Sequence, residues 1–373
     1  TVAELATLSA DGGVNDLTIV IGSDDATAAT AAQLNTINDA TALAVDLTNV
    51  TALAASSISD LGILATAITN NEFSNDTGLT TIAVNETTID ATTLASTIDA
   101  YDTINGSNTT EMTLASGVTI NVDASEVTEI LTDQSAGRLT ISDQSITVTG
   151  AITVSAANDL NGITQGTVTA SIATDSTVDS LATLTGTNNA YTITIADADA
   201  TGSTATELNT IDAATTVTID AGQITSIEGT YDQIVALYES PEVSGLDNEN
   251  ISITGEITVT QANAIDALTT GVVTASIVTT ETVDSLKTLT GTNAYMITIA
   301  TSDATAATAS DLTTINAATA LAVDLTNVTG LAASSLADLG TLATAIGNSE
   351  FSNASGLTTI AVSDTTIDAT TLA

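Results

Sequence analysis

The sequence predicts a mainly β fold with short helices, a right-handed parallel β-solenoid built from coils of about 25 residues. Three observations carry that prediction. A long block occurs twice, alternating apolar segments recur at short intervals, and a common aspartate turn follows several of them. Shifted by 278 positions, residues 26–95 align with 304–373 without a gap, with 14 mismatches in 70 positions and so 56 identities. A shorter echo relates 152–196 to 257–300, offset by 105 and then by 104 after one extra Asn. Nested periods of this kind fit one continuous repeat array over residues 1–373, although residues 71–150 carry the repeated words least clearly.

The strand-like pieces are LTIVI, LAVDL, TTIAV, VTINV, TVTASI, YTITI, TVTID, VVTASI, MITIA and a second LAVDL, recurring along the chain at irregular spacing. Alternation within each sends one set of side chains inward and leaves a Thr-rich set outside. Leu34, Ile37, Leu43, Val45, Val50 and Leu53 are expected to face the core, as are Leu312, Ile315, Leu321, Val323, Val328 and Leu331. TAAQLNTI, TATELNTI and TASDLTTI lie between strands and have apolar residues three apart. Thr30/Gln33, Thr204/Glu207 and Thr308/Asp311 fit a capping box or a near variant, so these pieces read as helices of two or three turns at most.

The third observation is the pattern [VI]-D-x-x-[NQE]-[VI]-T-x-[LI], found in VDLTNVTAL (45–53), VDASEVTEI (122–130), IDAGQITSI (219–227) and VDLTNVTGL (323–331). Its Asp leaves the strand and the apolar residues after it return to the core. One strand, one Asp turn and one apolar return make a unit that must stack on its neighbours to bury its face. Strands so spaced pair in parallel, with right-handed crossovers. The alternative is a string of immunoglobulin-like β-sandwich modules, for which a spacing near 105 residues is suggestive. The single Pro, the absence of Trp and the helical inserts speak against it.

Composition narrows the function. The chain has 45 Asp and Glu against two basic residues, Arg138 and Lys287, for a formal net charge of −43, and it lacks His, Cys and Trp. It is nonetheless 43% hydrophobic, enough to build an aliphatic core. Two cations cannot neutralise a phosphate backbone, so no nucleic-acid partner is expected, and a polybasic membrane contact fails for the same reason. No apolar run reaches the length of a transmembrane segment. No secretory signal pattern opens the sequence, and a start at Thr1 fits a segment of something longer.

Without His or Cys there is no Ser–His–Asp relay, no thiol nucleophile and no ordinary zinc site. Lys287 is a nucleophile only if desolvated, and its counterpart at the 105 offset is Ala182. Acid pairs for glycoside hydrolysis carry no signal among 45 acidic residues. Hard oxygen ligands suit Ca²⁺ best. Its candidates are Asp46, Asp123, Asp220 and Asp324 in the shared turn, with Asp24, Asp25, Asp197, Asp199 and Asp303 after the LTIVI, YTITI and MITIA strands. The competing role for each is an Asx turn, in which the carboxylate accepts from the backbone two residues on.

LATLTGTNNAYTITIADADATGSTATELNTIDAATTVTIDAGQITSIEGT (181–230) resembles the giant Thr/Ala/Asp-rich repeat proteins on the surface of marine unicellular cyanobacteria, including a swimming-associated type. The resemblance implies a very large extracellular structural protein and carries over no catalytic residue. The expected role is thus a non-enzymatic cell-surface filament or stalk, whose partners are further copies of its own repeat and the cell envelope. One alternative is a calcium-dependent adhesin or phage or bacterial fibre that binds glycans. Another is a carbohydrate-active solenoid enzyme, for which two cations and seven aromatics are a poor endowment.

Overall fold

The structure is a computed structural model that describes residues 1–9, 15–106, 110–196 and 202–367. Within them the chain is α/β, with short parallel strands in several sheets and helices of 4 to 15 residues between them. Helix is therefore a larger share than a mainly β fold allows. Ala31–Asp39, Ala205–Ala213 and Ala309–Ala317, of 9 residues each, keep to the two or three turns expected. Ile58–Thr69 and Ala91–Asn105, of 12 and 15 residues, are longer helices that the sequence reading did not mark. Local chemistry accounts for the longer one. Asp90 accepts from Thr93 N at its start, Leu94, Ile98 and Tyr101 form one buried stripe, and Gly106 ends it in a left-handed conformation (φ 67).

The chain divides into two compact units. Residues 1–173, 183–193 and 214–217 form the first. It holds a four-stranded sheet ordered Ala52–Ser56, Thr81–Val84, Glu111–Leu114 and Leu139–Thr140. Beside it are the pair Val45–Asp46 and Phe73–Ser74 and a five-stranded sheet running Thr88–Asp90, Thr119–Asp123, Ser145–Ile152, Val168–Ile172 and Ala190–Thr192. The second unit has its own five-stranded sheet, Ser203–Thr204, Ser226–Gly229, Asn250–Ile257, Val273–Ile277 and Ala294–Met296, and three two-stranded pairs.

Every pairing among these strands is parallel. The steps along the chain range from the shortest, of the kind that joins Thr274 to Ala294, to the longest, which joins Thr88 to Thr119. An antiparallel immunoglobulin-like sandwich does not fit this pattern. Residues 71–150, where the repeated words are faintest, pair in the same way as the rest. Elements also recur at the sequence offsets. Ala31–Asp39, Ala52–Ser56, Ile58–Thr69 and Thr81–Val84 return at the longer offset as Ala309–Ala317, Gly330–Ser334, Leu336–Gly347 and Thr359–Val362.

The core is aliphatic, with Tyr101, Tyr191 and Tyr295 as its largest buried side chains. Each tyrosine donates its hydroxyl to a backbone carbonyl, of Leu61, Ala157 and Ala262 respectively, so the buried polar tip is satisfied. Ten of the twelve side chains expected inside are buried. Leu43 and Leu321 are 43% and 39% exposed instead. The strands there begin only at Val45 and Val323, and the residues before them turn on a threonine. Leu43 N donates to Thr41 Oγ1 (3.2 Å) and Leu321 N to Thr319 Oγ1 (3.1 Å), which takes both leucines out of the pleat's alternation. No helix among the described residues is long and apolar enough to cross a membrane.

Candidate functional site

The aspartate turns take the shape their sequence suggests. Asp46 Oδ1 accepts from Thr48 N (2.9 Å) and Thr48 Oγ1 (2.7 Å), Asp123 Oδ1 from Ser125 N (3.0 Å) and Ser125 Oγ (2.7 Å). Asp220 Oδ1 accepts from Gly222 N (3.1 Å), and Asp324 Oδ1 from Thr326 N (2.8 Å). These are Asx turns. Two of the four are also tied to the neighbouring strand. Asn75 Nδ2 donates to Asp46 Oδ1 and Asn353 Nδ2 to Asp324 Oδ1, both at 2.9 Å. Both asparagines hold a left-handed backbone (φ 55), which Asn tolerates better than most residues.

These bonds set the acidity of the turns. The Asn75 amide, then Thr48, hold the Asp46 carboxyl below its ordinary value, and Ser125 does so for Asp123. At Asp324 partial burial pulls upward, but the bonds from Asn353 and Thr326 outweigh it and the net shift is downward. The motif's Asn has its own task. Asn49 Nδ2 donates to Ile21 O (2.8 Å) and Asn327 Nδ2 to Ile299 O (2.9 Å), in each case 28 residues back.

Asp25 and Asp303 do something the sequence reading did not foresee. Each carboxylate accepts the first amide of an earlier helix, Val2 N at 2.9 Å and Val283 N at 3.0 Å. Glu86, Glu281 and Asp364 repeat the device on Ile58 N, Val259 N and Leu336 N. The amides at a helix start have no intrahelical partner and carry the positive end of its dipole. An anion delivered from 20 to 28 residues downstream answers both needs. At two other helix starts a serine takes the same place, Ser56 on Ala31 N and Ser334 on Ala309 N, so the spacing alone does not mark the device in the sequence. Asp24 lies in the turn Ser23–Asp25, whereas Asp197 and Asp199 lie outside the described residues.

As a calcium seat the turns are incomplete. Among the described residues no three acidic side chains are grouped closely enough to hold one metal ion, and the hydrogen bonds accepted by the four turn aspartates all fall on Oδ1. An acidic, polar groove of about 470 Å³ lies where Asp90, Asp123 and Glu126 meet Thr92, Asn121 and Ser125. Thr92 donates to Glu126 across it.

The two basic side chains are both engaged. Arg138 donates to Asp99 (3.0 Å), Asp102 (2.9 Å) and Asp133. Asp133 is buried, its Oδ2 has no partner among the described residues, and burial pushes its pKa up against the pull of Arg138. Lys287 bridges Asp284 (2.9 Å) and Asp311 (2.8 Å), the latter a capping residue of Ala309–Ala317. A nucleophilic lysine would need the opposite surroundings, since these partners hold it charged.

A further pair was illegible in the sequence. Gln144 and Glu249, equivalent at the 105 offset, are buried polar side chains that organise loops. Gln144 Oε1 accepts from Ser142 N and Asp143 N, and Glu249 Oε2 from Asp247 N and Asn248 N. Gly166 and Gly271 pack on their carbonyls so closely that a Cβ would sit 2.5 and 2.3 Å from the oxygen. Comparison of the chain with protein-family models, curated proteins and solved structures finds no match.

Proposed function

We propose that this chain is a stretch of a non-enzymatic structural repeat protein, a right-handed parallel β-solenoid serving as an extracellular or cell-surface filament or stalk. The observation that carries the reading is the ladder. In each unit a strand pairs in parallel with one from the next stretch of chain, as Thr81 does with Glu111 and Ser226 with Asn250. A pattern of this kind is extended by adding units, without a new tertiary plan. The resemblance of 181–230 to the giant surface proteins of marine cyanobacteria supports the same role and location. So does the use of the acidic side chains, many of which cap helices, close turns or pair with the two cations. The remaining charge keeps such a surface soluble and repels like-charged neighbours. Its partners on this reading are further copies of the repeat and the cell envelope.

Electron micrographs of the purified chain test the proposal, with thin rods expected and round beads refuting it. A second reading, a calcium-dependent adhesin for glycans, is favoured by the groove at Asp90, Asp123 and Glu126. Glycan binding that requires Ca²⁺ and disappears in Asp123→Asn would favour it over a plain stalk.

A further inference from the structure

We infer that the apolar face formed by helix Leu336–Gly347 and strand Thr359–Val362 is a docking surface for one helix–strand segment with the chemistry of residues 91–114. The inference deepens the repeat reading above and rests on it. Its basis is an apolar surface that occurs twice and that, among the described residues, is covered once.

In the first copy, helix Ile58–Thr69 and strand Thr81–Val84 bury Leu61, Leu64, Ile68, Leu79 and Ile82. Helix Ala91–Asn105 and strand Glu111–Leu114 do the covering. Tyr101 Oη donates to Leu61 O (3.1 Å), and Asn105 Nδ2 donates to Leu79 O (2.6 Å). Leu94 and Ile98 are fully buried on the same helix, which packs on Ile58–Thr69. Strand Glu111–Leu114 then pairs with Thr81–Val84, Met112 opposite Ile82 and Leu114 opposite Val84.

In the second copy the same apolar letters stand at Leu339, Leu342, Ile346, Leu357 and Ile360. The surface there is open. Ile360 is 53% exposed where Ile82 is 0%, and Val362 is 37% exposed where Val84 is 1%. An open groove of about 310 Å³ runs along the helix, lined by Leu336, Leu339, Leu342, Ile346 and Ile360 among others. Strand Thr359–Val362 pairs with Gly330–Ser334, and among the described residues its other edge has no strand partner, whereas Thr81–Val84 is paired on both sides. A contiguous apolar groove beside an unpaired strand edge marks an association surface. The occupant follows from the covered copy: a helix with apolar residues at the spacing of Leu94, Ile98 and Tyr101, then a parallel strand like EMTL. In the first copy the covering segment opens with the letters DATTLA at 90–95, which recur at 368–373.

The test extends residues 1–373 after Ala373 with a copy of residues 96–123 and reads amide hydrogen exchange in Leu336–Gly347 and Thr359–Val362. Exchange there is expected to slow roughly ten-fold or more, and Tm to rise. A control carries Ile98→Asp and Tyr101→Asp in the appended copy only and should lose both gains. Equal exchange in the two extended chains overturns the docking inference, whatever the particle's shape. Small-angle scattering on the same samples tests the filament separately. A compact particle that still gains protection refutes the filament and leaves the docking surface standing.

Discussion

Asn353 and Asp324 stand 29 residues apart in sequence and are joined side chain to side chain, Nδ2 to Oδ1 at 2.9 Å. The bond links parallel strands Val323–Asp324 and Phe351–Ser352, and it holds Asn353 in a left-handed backbone. Two substitutions separate these contributions. Asn353→Gly loses the bond and keeps the conformation, whereas Asn353→Ala loses the bond and adds backbone strain of about 1 kcal/mol. Denaturant unfolding should rank wild type above Gly and Gly above Ala. Ala equal to Gly would show that φ is unimportant there.

The same carboxylate predicts a pH dependence. The folded-state pKa of Asp324 is depressed, so its contribution is present above the unfolded value of about 3.9 and lost as pH falls through the folded value. The stability gap between wild type and Asp324→Asn should be full at neutral pH and shrink below about pH 4. Comparing the two chains cancels the general relief of charge repulsion on acidification. Asp133 has the opposite sign, because burial raises its folded value and its ionisation opposes folding as pH rises above about 4. A gap at Asp324 that persists unchanged at pH 2 would refute the linkage.

Glu281→Ala leaves Val259 N without the carboxylate that meets it at 3.0 Å. A loss of about 1 kcal/mol is expected, with Glu281→Gln in between because its amide oxygen still accepts. Exchange should quicken first at the start of Val259–Asp266. A uniform change along the chain would place the effect elsewhere.

At high pH the buried tyrosines govern. Burial pushes Tyr191 and Tyr295 up to about 12, and Tyr101 and Tyr238 upward as well, Tyr238 also by its bond to Glu249. A raised folded value means the stabilisation is complete below the unfolded pKa of about 10 and is lost as pH rises through the folded one. Tyrosinate absorbance for this group should appear together with loss of the circular dichroism signal. Ionisation near pH 10 with the fold intact would contradict their burial.

Calcium is expected to act weakly and at many exposed carboxylates. Millimolar Ca²⁺ should raise Tm above an ionic-strength-matched Na⁺ control, with affinities on the order of 10⁻⁴–10⁻³ M. Calorimetry that finds one submicromolar site would instead require a cage of ligands. Identical melts in Ca²⁺ and chelator would leave the acids as a solubilising coat.

Local signals in the sequence were the reliable ones. The boxes at Thr30/Gln33, Thr204/Glu207 and Thr308/Asp311 form as their letters suggest, because a cap needs only residues three apart. The Asx turns at Asp46 and Asp324 were legible for the same reason. Strands such as Thr88–Asp90 and Glu111–Leu114 were not, since TID and EMTL become strands through the neighbours they pair with. Leu43 was misplaced because alternation was extended past the point where Thr41 bends the chain. The amide caps by Asp25, Glu86 and Glu281 join residues 22 to 28 positions apart, a separation with no period of its own.

The short reach of every strand pairing also governs how the chain folds. Closing the longest of these loops, Thr88 to Thr119, costs only about 0.4 kcal/mol more than closing the shortest, Thr274 to Ala294. Each strand can therefore find its partner as soon as the next few dozen residues exist. A chain released from one end would see paired strands form behind it, and each further strand paired at this separation would add a folding step without slowing the others.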